Sequence, residues 1–221
     1  MVMTTAPLKT IPLLENGDRL TRHEFERRYT AMPPQTKGNP KAELIEGIVY
    51  MASPLRIRSH GQPHSQIVTW LGFYQANIPS LIVGVEPTVH LDMDNAPQPD
   101  AVLFIPGRGA TIVEDDYIAG APELVVEISA STVSIDLHDK KEAYRRNGVQ
   151  EYIVWRTLER EIDWFSLQNG AYIRLEPDEN RVIKSQVFPG LWLAVEAMLS
   201  GAMSDVLAVL QAGLNSADRI D

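Results

Sequence analysis

The sequence predicts an α/β protein in which a mixed β-sheet is flanked by helices. Three observations predict it. Two short apolar runs, "PDAVLF" and "ELVVEIS", are each bounded by turn residues, the pattern of central strands covered on both faces. Two other segments place apolar residues at helical spacing: one carries Ile67, Leu71 and Tyr74, and the other runs from Asp136 to Gly148. Finally, helices and strands do not alternate regularly, which predicts a mixed sheet and not a doubly wound parallel one.

Taken in order, the first ten residues read as a loose arm. "TRHEFERRYTAM" opens on a capping threonine, and Phe25 and Tyr29 are four residues apart, which predicts a helix over 21–32. "PPQTKGNPK" is a loop by its Pro, Gly and Asn content. "AELIEGIVYMAS" reads as two short strands turning near Gly47. Pro63 precedes the helix expected from His64 to Asn77. "SLIVGVEPTVHLD" is one strand, or two interrupted at Pro87. The two central runs follow, then the helix that opens near Asp136 and closes at Gly148. "VQEYIVW", "EIDWFSLQ" and "AYIRLE" are further strands, the last two a hairpin, and the tail ends in one helix or two.

The length of 221 residues fits one compact domain of generous size, or one domain with extended ends. The division expected is an arm over 1–18, a main domain over 19–200 and a C-terminal helix or tail over 201–221. The chain has no cysteine, which excludes disulfides, a thiol nucleophile and thiolate metal sites. No apolar run approaches the roughly 20 residues that span a bilayer, so a cytoplasmic protein with no membrane partner is expected. The formal net charge of −9 argues against generic nucleic-acid binding. It leaves room for a locally basic cleft on an acidic protein. No Gly-rich loop follows a strand, so nucleotide cofactors have no support. The apolar helix "DVLAVLQAGL" raises two expectations, a homodimer or packing on its own domain.

The chemistry rests on where the acids fall. Asp100 stands at the head of one apolar run and Glu127 lies inside the other. A buried strand acid is rare unless paired or metal-bound. A metal-dependent hydrolase needs carboxylates that converge, because Mg²⁺ takes hard oxygen ligands, and it commonly adds a cation to stabilise charge on the phosphate. Each residue has a plainer explanation. Asp100 after Pro99 serves as a strand-entry residue, Lys140 and Lys141 as a solvated helix face, and His64 as a cap. Helical spacing puts Asp136, Lys140 and Tyr144 on one face.

The order of these elements resembles the PD-(D/E)XK nuclease superfamily, with "PQPD" giving Asp100 and "VVEIS" giving Glu127. The position two residues after the second acid is Ser129 in place of the usual lysine. The segment "DLHDKKEAYRRNGVQEYIVW" resembles the branch that carries its lysine on the following helix. With "LTRHEFERRY", "ELIEGIVYMASP" and "HSQIVTWL" added, the chain more closely resembles the Uma-type restriction endonuclease family, over roughly Leu20 to Trp192. That resemblance implies a restriction-endonuclease-like fold. It implies a site with Asp100 and Glu127 on Mg²⁺ or Mn²⁺, Glu46 as an outer carboxylate, and Lys140 on the attacking water and phosphate. His64, Ser129, Asp136 and Tyr144 would line the cleft, and DNA would be the substrate. The alternatives are a nuclease-fold binding module that does not cleave, and a metal-dependent hydrolase of a small phosphorylated substrate. Arg56, Arg58, Arg108, Arg145 and Arg146 are the residues that decide whether the cleft has a positive rim.

Overall fold

The computed structural model describes residues 11–32, 41–51 and 54–216. The expected arm over the first ten residues, and nearly all of the "PPQTKGNPK" loop, lie outside the described residues. The first helix, α1 (Arg22–Ala31), spans the predicted segment with Thr21 at its N-cap. Strands β1 (Ala42–Ile45) and β2 (Ile48–Met51) form the expected antiparallel hairpin. Its turn puts both Glu46 and Gly47 at positive φ, 51° and 71°, a conformation glycine adopts without strain and glutamate does not.

The helix predicted from His64 starts earlier. A π-helical turn over Ile57–Gly61 leads directly into α2 (Gln62–Asn77). Pro63 therefore stands inside a continuous helical stretch, where it lacks the N–H that would pair one turn back, and the wide turn just before it accommodates the ring. The π turn lengthens the helix upstream and so brings His60 onto the same end as His64. Wide turns of this kind occur often at functional sites.

Six strands make the main sheet. They are β3 (Ile82–Val85), β5 (Ala101–Phe104), β8 (Leu124–Ser129), β9 (Glu151–Arg156), β10 (Glu161–Gln168) and β11 (Ala171–Arg174), in the spatial order β11-β10-β9-β8-β5-β3. As the sequence predicts, the two apolar runs are neighbours, β5 and β8, paired antiparallel. Only β8 and β9 run parallel in this sheet. A parallel pair needs a crossover, and the helical stretch 133–147 supplies it. This stretch is a short turn, α3 (Val133–Ile135), a π segment over Asp136–Lys140, and α4 (Lys141–Asn147), closed by Gly148 at φ 85°.

Each face of the sheet buries its own cluster. On one side Ile67, Trp70, Leu71 and Tyr74 of α2 meet Ala101, Leu103, Val126 and Trp164. The C-terminal helices α5 (Val195–Ser200) and α6 (Met203–Ser216) join them through Met198, Val206 and Leu210. Packing on its own domain therefore accounts for the apolar stripe of the last helix. On the other side Val102, Val125 and Val154 pack on Tyr144, Tyr152 and Phe165.

Strands β4 (Val89–His90), β6 (Ala110–Ile112) and β7 (Ile118–Gly120) form a separate three-stranded sheet. A further pair is β12 (Val182–Lys184) with β13 (Trp192–Ala194). The pattern in the sequence does not reveal β6, β7, β12 and β13, each of three residues and too short for an alternation to register. No helix among the described residues is long and apolar enough to cross a membrane.

Candidate active site

In the β5–β8 ladder Ala101 is opposite Val126, so one step further Asp100 comes opposite Glu127. Directly opposed residues of an antiparallel pair point to the same face. Here that face belongs to the crossover helix, as the neighbours Val102 and Val125 show. Both acids are 3% exposed, far too buried to be strand decoration.

The helix meets them with three side chains. Lys140 Nζ donates to Glu127 Oε1 at 3.0 Å and lies 3.8 Å from Asp136 Oδ1. Tyr144 OH donates to the same Glu127 oxygen at 2.9 Å. Asp136 also accepts a 2.6 Å hydrogen bond from the Thr132 hydroxyl. The shared face predicted for Asp136, Lys140 and Tyr144 is present, with the π segment setting the spacing. Ser129 is buried beside Thr132, Oγ to Oγ1 3.4 Å, on the flank of the cluster.

The fourth acid is not the one expected. Glu46 sits at the hairpin turn, where Arg146 holds its carboxylate at 2.9 and 3.0 Å. Its place beside the lysine is taken by Glu43 of β1, whose Oε1 accepts from Lys140 Nζ at 2.9 Å and from the Gln98 N–H at 2.7 Å. Glu43 points inward from the ladder, whereas the turn carries Glu46 out of it.

Asp100 has a second set of partners. Its Oδ2 accepts the Ile128 N–H at 2.6 Å. Its Oδ1 lies 3.1 Å from His60 Nε2 and 3.3 Å from Lys41 Nζ. His64 Nε2 approaches the Asp100 carbonyl oxygen at 2.8 Å. Of these residues the sequence points only to Asp100 and His64. His60 lies upstream of the proline that reads as a helix start, and Lys41 stands at the end of a loop-like stretch.

Charge follows from this packing. Four carboxylates (Glu43, Asp100, Glu127, Asp136) surround two ammonium groups (Lys41, Lys140), a formal excess of two negative charges. Burial raises Glu127 to about 8. Lys140 opposes the rise, while Asp136, Asp100 and Glu43 add to it. Burial also raises Asp136 against the pull of Lys140 and Thr132. Desolvation would lower Lys140, but Glu127, Glu43 and Asp136 outweigh it and hold the ammonium well above its ordinary value. Burial would raise Asp100 as well; the His60 bond, the Lys41 charge and the Ile128 N–H overcome it and hold the carboxyl well below the usual range.

The Glu127 shift has a measurable sign. A carboxyl raised from 4.5 to about 8 holds its proton more tightly in the folded chain than in the unfolded one. Its contribution to stability is complete below 4.5 and is lost as pH rises through about 8. Metal-free protein is therefore expected to lose melting temperature from pH 5 to pH 8, and Glu127→Gln to flatten that slope. An equally steep slope in both proteins would exclude Glu127 as its source.

The donor chemistry fits a divalent cation. Two opposed hard-oxygen side chains, in a cluster with two more carboxyl groups than ammonium groups, match what Mg²⁺ or Mn²⁺ requires. Known proteins share the fold. The Uma2 family model, described as "Putative restriction endonuclease", matches residues 24–196. Among solved structures, a crystal structure of a "putative nuclease belonging to DUF820" from Anabaena variabilis superposes with a TM-score of 0.61 at 20% identity. The match covers 82% of this chain and 98% of that one, and at this identity it bears on fold alone. Among curated proteins none matches the chain.

Proposed function

This chain belongs to the Uma2 family, and we propose that it is a metal-dependent endonuclease that hydrolyses DNA phosphodiester bonds in the cytoplasm. One observation carries the reading. Asp100 and Glu127 are opposed on neighbouring central strands, and a buried lysine bridges Glu127 to a third acid.

Asp100 and Glu127 would hold Mg²⁺ or Mn²⁺, which when bound polarises the phosphate and lowers the pKa of a bound water. The remaining work falls to the protein. Lys140 has its donors on Glu43 and Glu127 with Asp136 close by. Its first role is to fix the acids and balance their charge. The approach to water or phosphate expected from the sequence falls to its third N–H, since two are taken by Glu43 and Glu127. Tyr144 fixes the rotamer of Glu127 through Oε1. Lys41 is more exposed than Lys140, with a side chain 20% accessible against 5%, so it is the cation better placed to meet a phosphate. By resemblance to the superfamily, in-line attack by water leaves a 5′-phosphate.

The arginines bear on the substrate. Arg145 and Arg146 are engaged by Glu142, Glu46 and Asp92. Arg56 and Arg58 are exposed, have no ion pair among the described residues, and flank or lie in the π turn that carries His60. They supply a local positive rim despite the net charge of −9.

Arg56→Ala with Arg58→Ala is therefore expected to weaken DNA binding. It should also reduce the slope of log affinity against log salt by about 2, roughly 0.9 for each phosphate that is no longer neutralised. An unchanged slope would place the DNA elsewhere. The activity itself is tested by incubating purified protein with supercoiled plasmid and Mg²⁺ or Mn²⁺.

A further inference from the structure

Asp100 meets two imidazoles: His60 at its Oδ1 and His64 at its main-chain carbonyl. One ring nitrogen each from His60 and His64 and one carboxylate oxygen of Asp100 lie within 4.8 Å of one another. We propose that these three side chains bind a transition-metal ion of the Co²⁺ or Zn²⁺ class, through imidazole ligands that the all-oxygen pair Asp100–Glu127 lacks. This position shares Asp100 with the nuclease site but does not depend on cleavage.

The distances suit a common ion. Metal–nitrogen and metal–oxygen bonds of about 2.0–2.2 Å place two ligands roughly 2.9 Å apart at right angles and roughly 3.4 Å apart at the tetrahedral angle. His60 Nε2 and Asp100 Oδ1 are 3.1 Å apart, between those limits. His64 is free to turn toward the ion. The carbonyl it approaches at 2.8 Å also accepts the Glu86 N–H at 3.1 Å, so that oxygen stays paired when the imidazole leaves.

His60 is 9% exposed and offers the ion its Nε2, the nitrogen that faces Asp100. Its Nδ1 is buried with no partner among the described residues, so no other hydrogen bond holds the ring in the core. The two rings stand edge to face with centroids 5.6 Å apart, which holds both at the carboxylate. They arrive there because the π turn joins α2 and sets His60 four residues before His64.

Lys41 competes for the same place. Its Nζ is 3.3 Å from Asp100 Oδ1, at the end of a flexible side chain that can withdraw to solvent. A divalent ion would exchange for that ammonium and for the His60 contact together. Imidazole selects for later transition metals, whereas Mg²⁺ prefers oxygen, so the two positions differ in the ions they take.

The test uses Co²⁺ on full-length metal-free protein. Co²⁺ titration is expected to give visible absorption that saturates at one equivalent, and low-temperature pulsed EPR of the bound Co²⁺ to show ¹⁴N couplings from imidazole. His60→Gln and His64→Gln should each weaken Co²⁺ binding by more than the roughly 10- to 100-fold typical of outer partners, while Glu127→Gln leaves it within about threefold. Absence of ¹⁴N couplings in the wild-type protein, where no variant has to fold, would overturn the site. So would histidine variants that bind Co²⁺ as tightly as wild type. Cleavage without nitrogen couplings refutes this site alone; nitrogen couplings without cleavage refute the nuclease reading alone.

Discussion

Asp100→Asn is expected to lower metal-dependent DNA cleavage by on the order of a thousandfold, about 4 kcal/mol of transition-state stabilisation. The size follows from what this carboxylate touches. It is opposed to Glu127 across the β5–β8 ladder and is the only acid of the cluster that faces both the glutamate and the two histidines. Asparagine keeps an acceptor for the Ile128 N–H, bonded at 2.6 Å in the native chain, and so preserves the strand-end geometry. Alanine would leave that N–H and the His60 nitrogen buried without a partner, at about 1–3 kcal/mol each, mixing a folding defect with a catalytic one. The asparagine variant should lose the stabilisation that Mn²⁺ gives wild type, and in metal-free buffer at neutral pH it should melt lower by what the ionised carboxylate contributes through Lys41 and His60. Cleavage within tenfold of wild type would remove Asp100 from the site.

Lys140→Ala is expected to be the most destabilising single substitution in the cluster. It strands Glu127 and Asp136, 3% and 2% exposed, together with Glu43, around a missing cation. Removing one partner of a buried ion pair costs about 3–5 kcal/mol. The deficit should shrink at low pH, where protonation of the carboxylates removes the uncompensated charge, and shrink again when millimolar Mg²⁺ or Mn²⁺ replaces it. Under stabilising conditions cleavage should still fall by roughly a hundredfold, about 3 kcal/mol. The neighbouring Lys141 is not the plainly solvated residue expected from the sequence. Its Nζ stands 3.5 Å above the Phe165 ring, so Lys141→Ala should cost about 0.5–1 kcal/mol and leave cleavage unchanged. Denaturant titrations at pH 5 and pH 8, with and without metal, and plasmid cleavage by both variants check these effects. A Lys140→Ala deficit below about 1 kcal/mol at pH 8, against the 3–5 typical of a broken buried pair, would show that the acids are not held by this lysine.

The parts legible in the sequence were those that a local pattern imposes. Glu127 stands out because an acid inside an apolar run has no packing role; Asp100 and Lys140 enter through the resemblance of "PQPD" and of the following helix to the nuclease pattern, and the register of β5 and β8 sets the two acids opposite each other. The spacing of one helix face agrees with Lys140 and adds Tyr144. Glu43 and Glu46 could not be separated that way. Both are acids of the same short hairpin, and the difference turns on which one the turn expels, a matter of backbone conformation at Glu46 and Gly47. The signal available was that Glu46 directly precedes the turn glycine. His60 was hidden by Pro63, which reads as a helix start. The π turn that carries the helix past it has no periodicity of its own to detect. Lys41 follows a stretch that reads only as a loop, and its partner Asp100 is 59 residues away in the chain.

Metal-dependent cleavage at Asp100 is decided by the conversion of supercoiled plasmid by purified metal-free protein before and after addition of Mg²⁺ or Mn²⁺, with DNA ligase applied to the products. Nicked or linear DNA is expected only after metal is added, with resealable breaks carrying 5′-phosphate, and none with Asp100→Asn. Intact plasmid at millimolar metal, or equal cleavage by the Asp100→Asn protein, would rule out a metal-dependent nuclease built on this carboxylate.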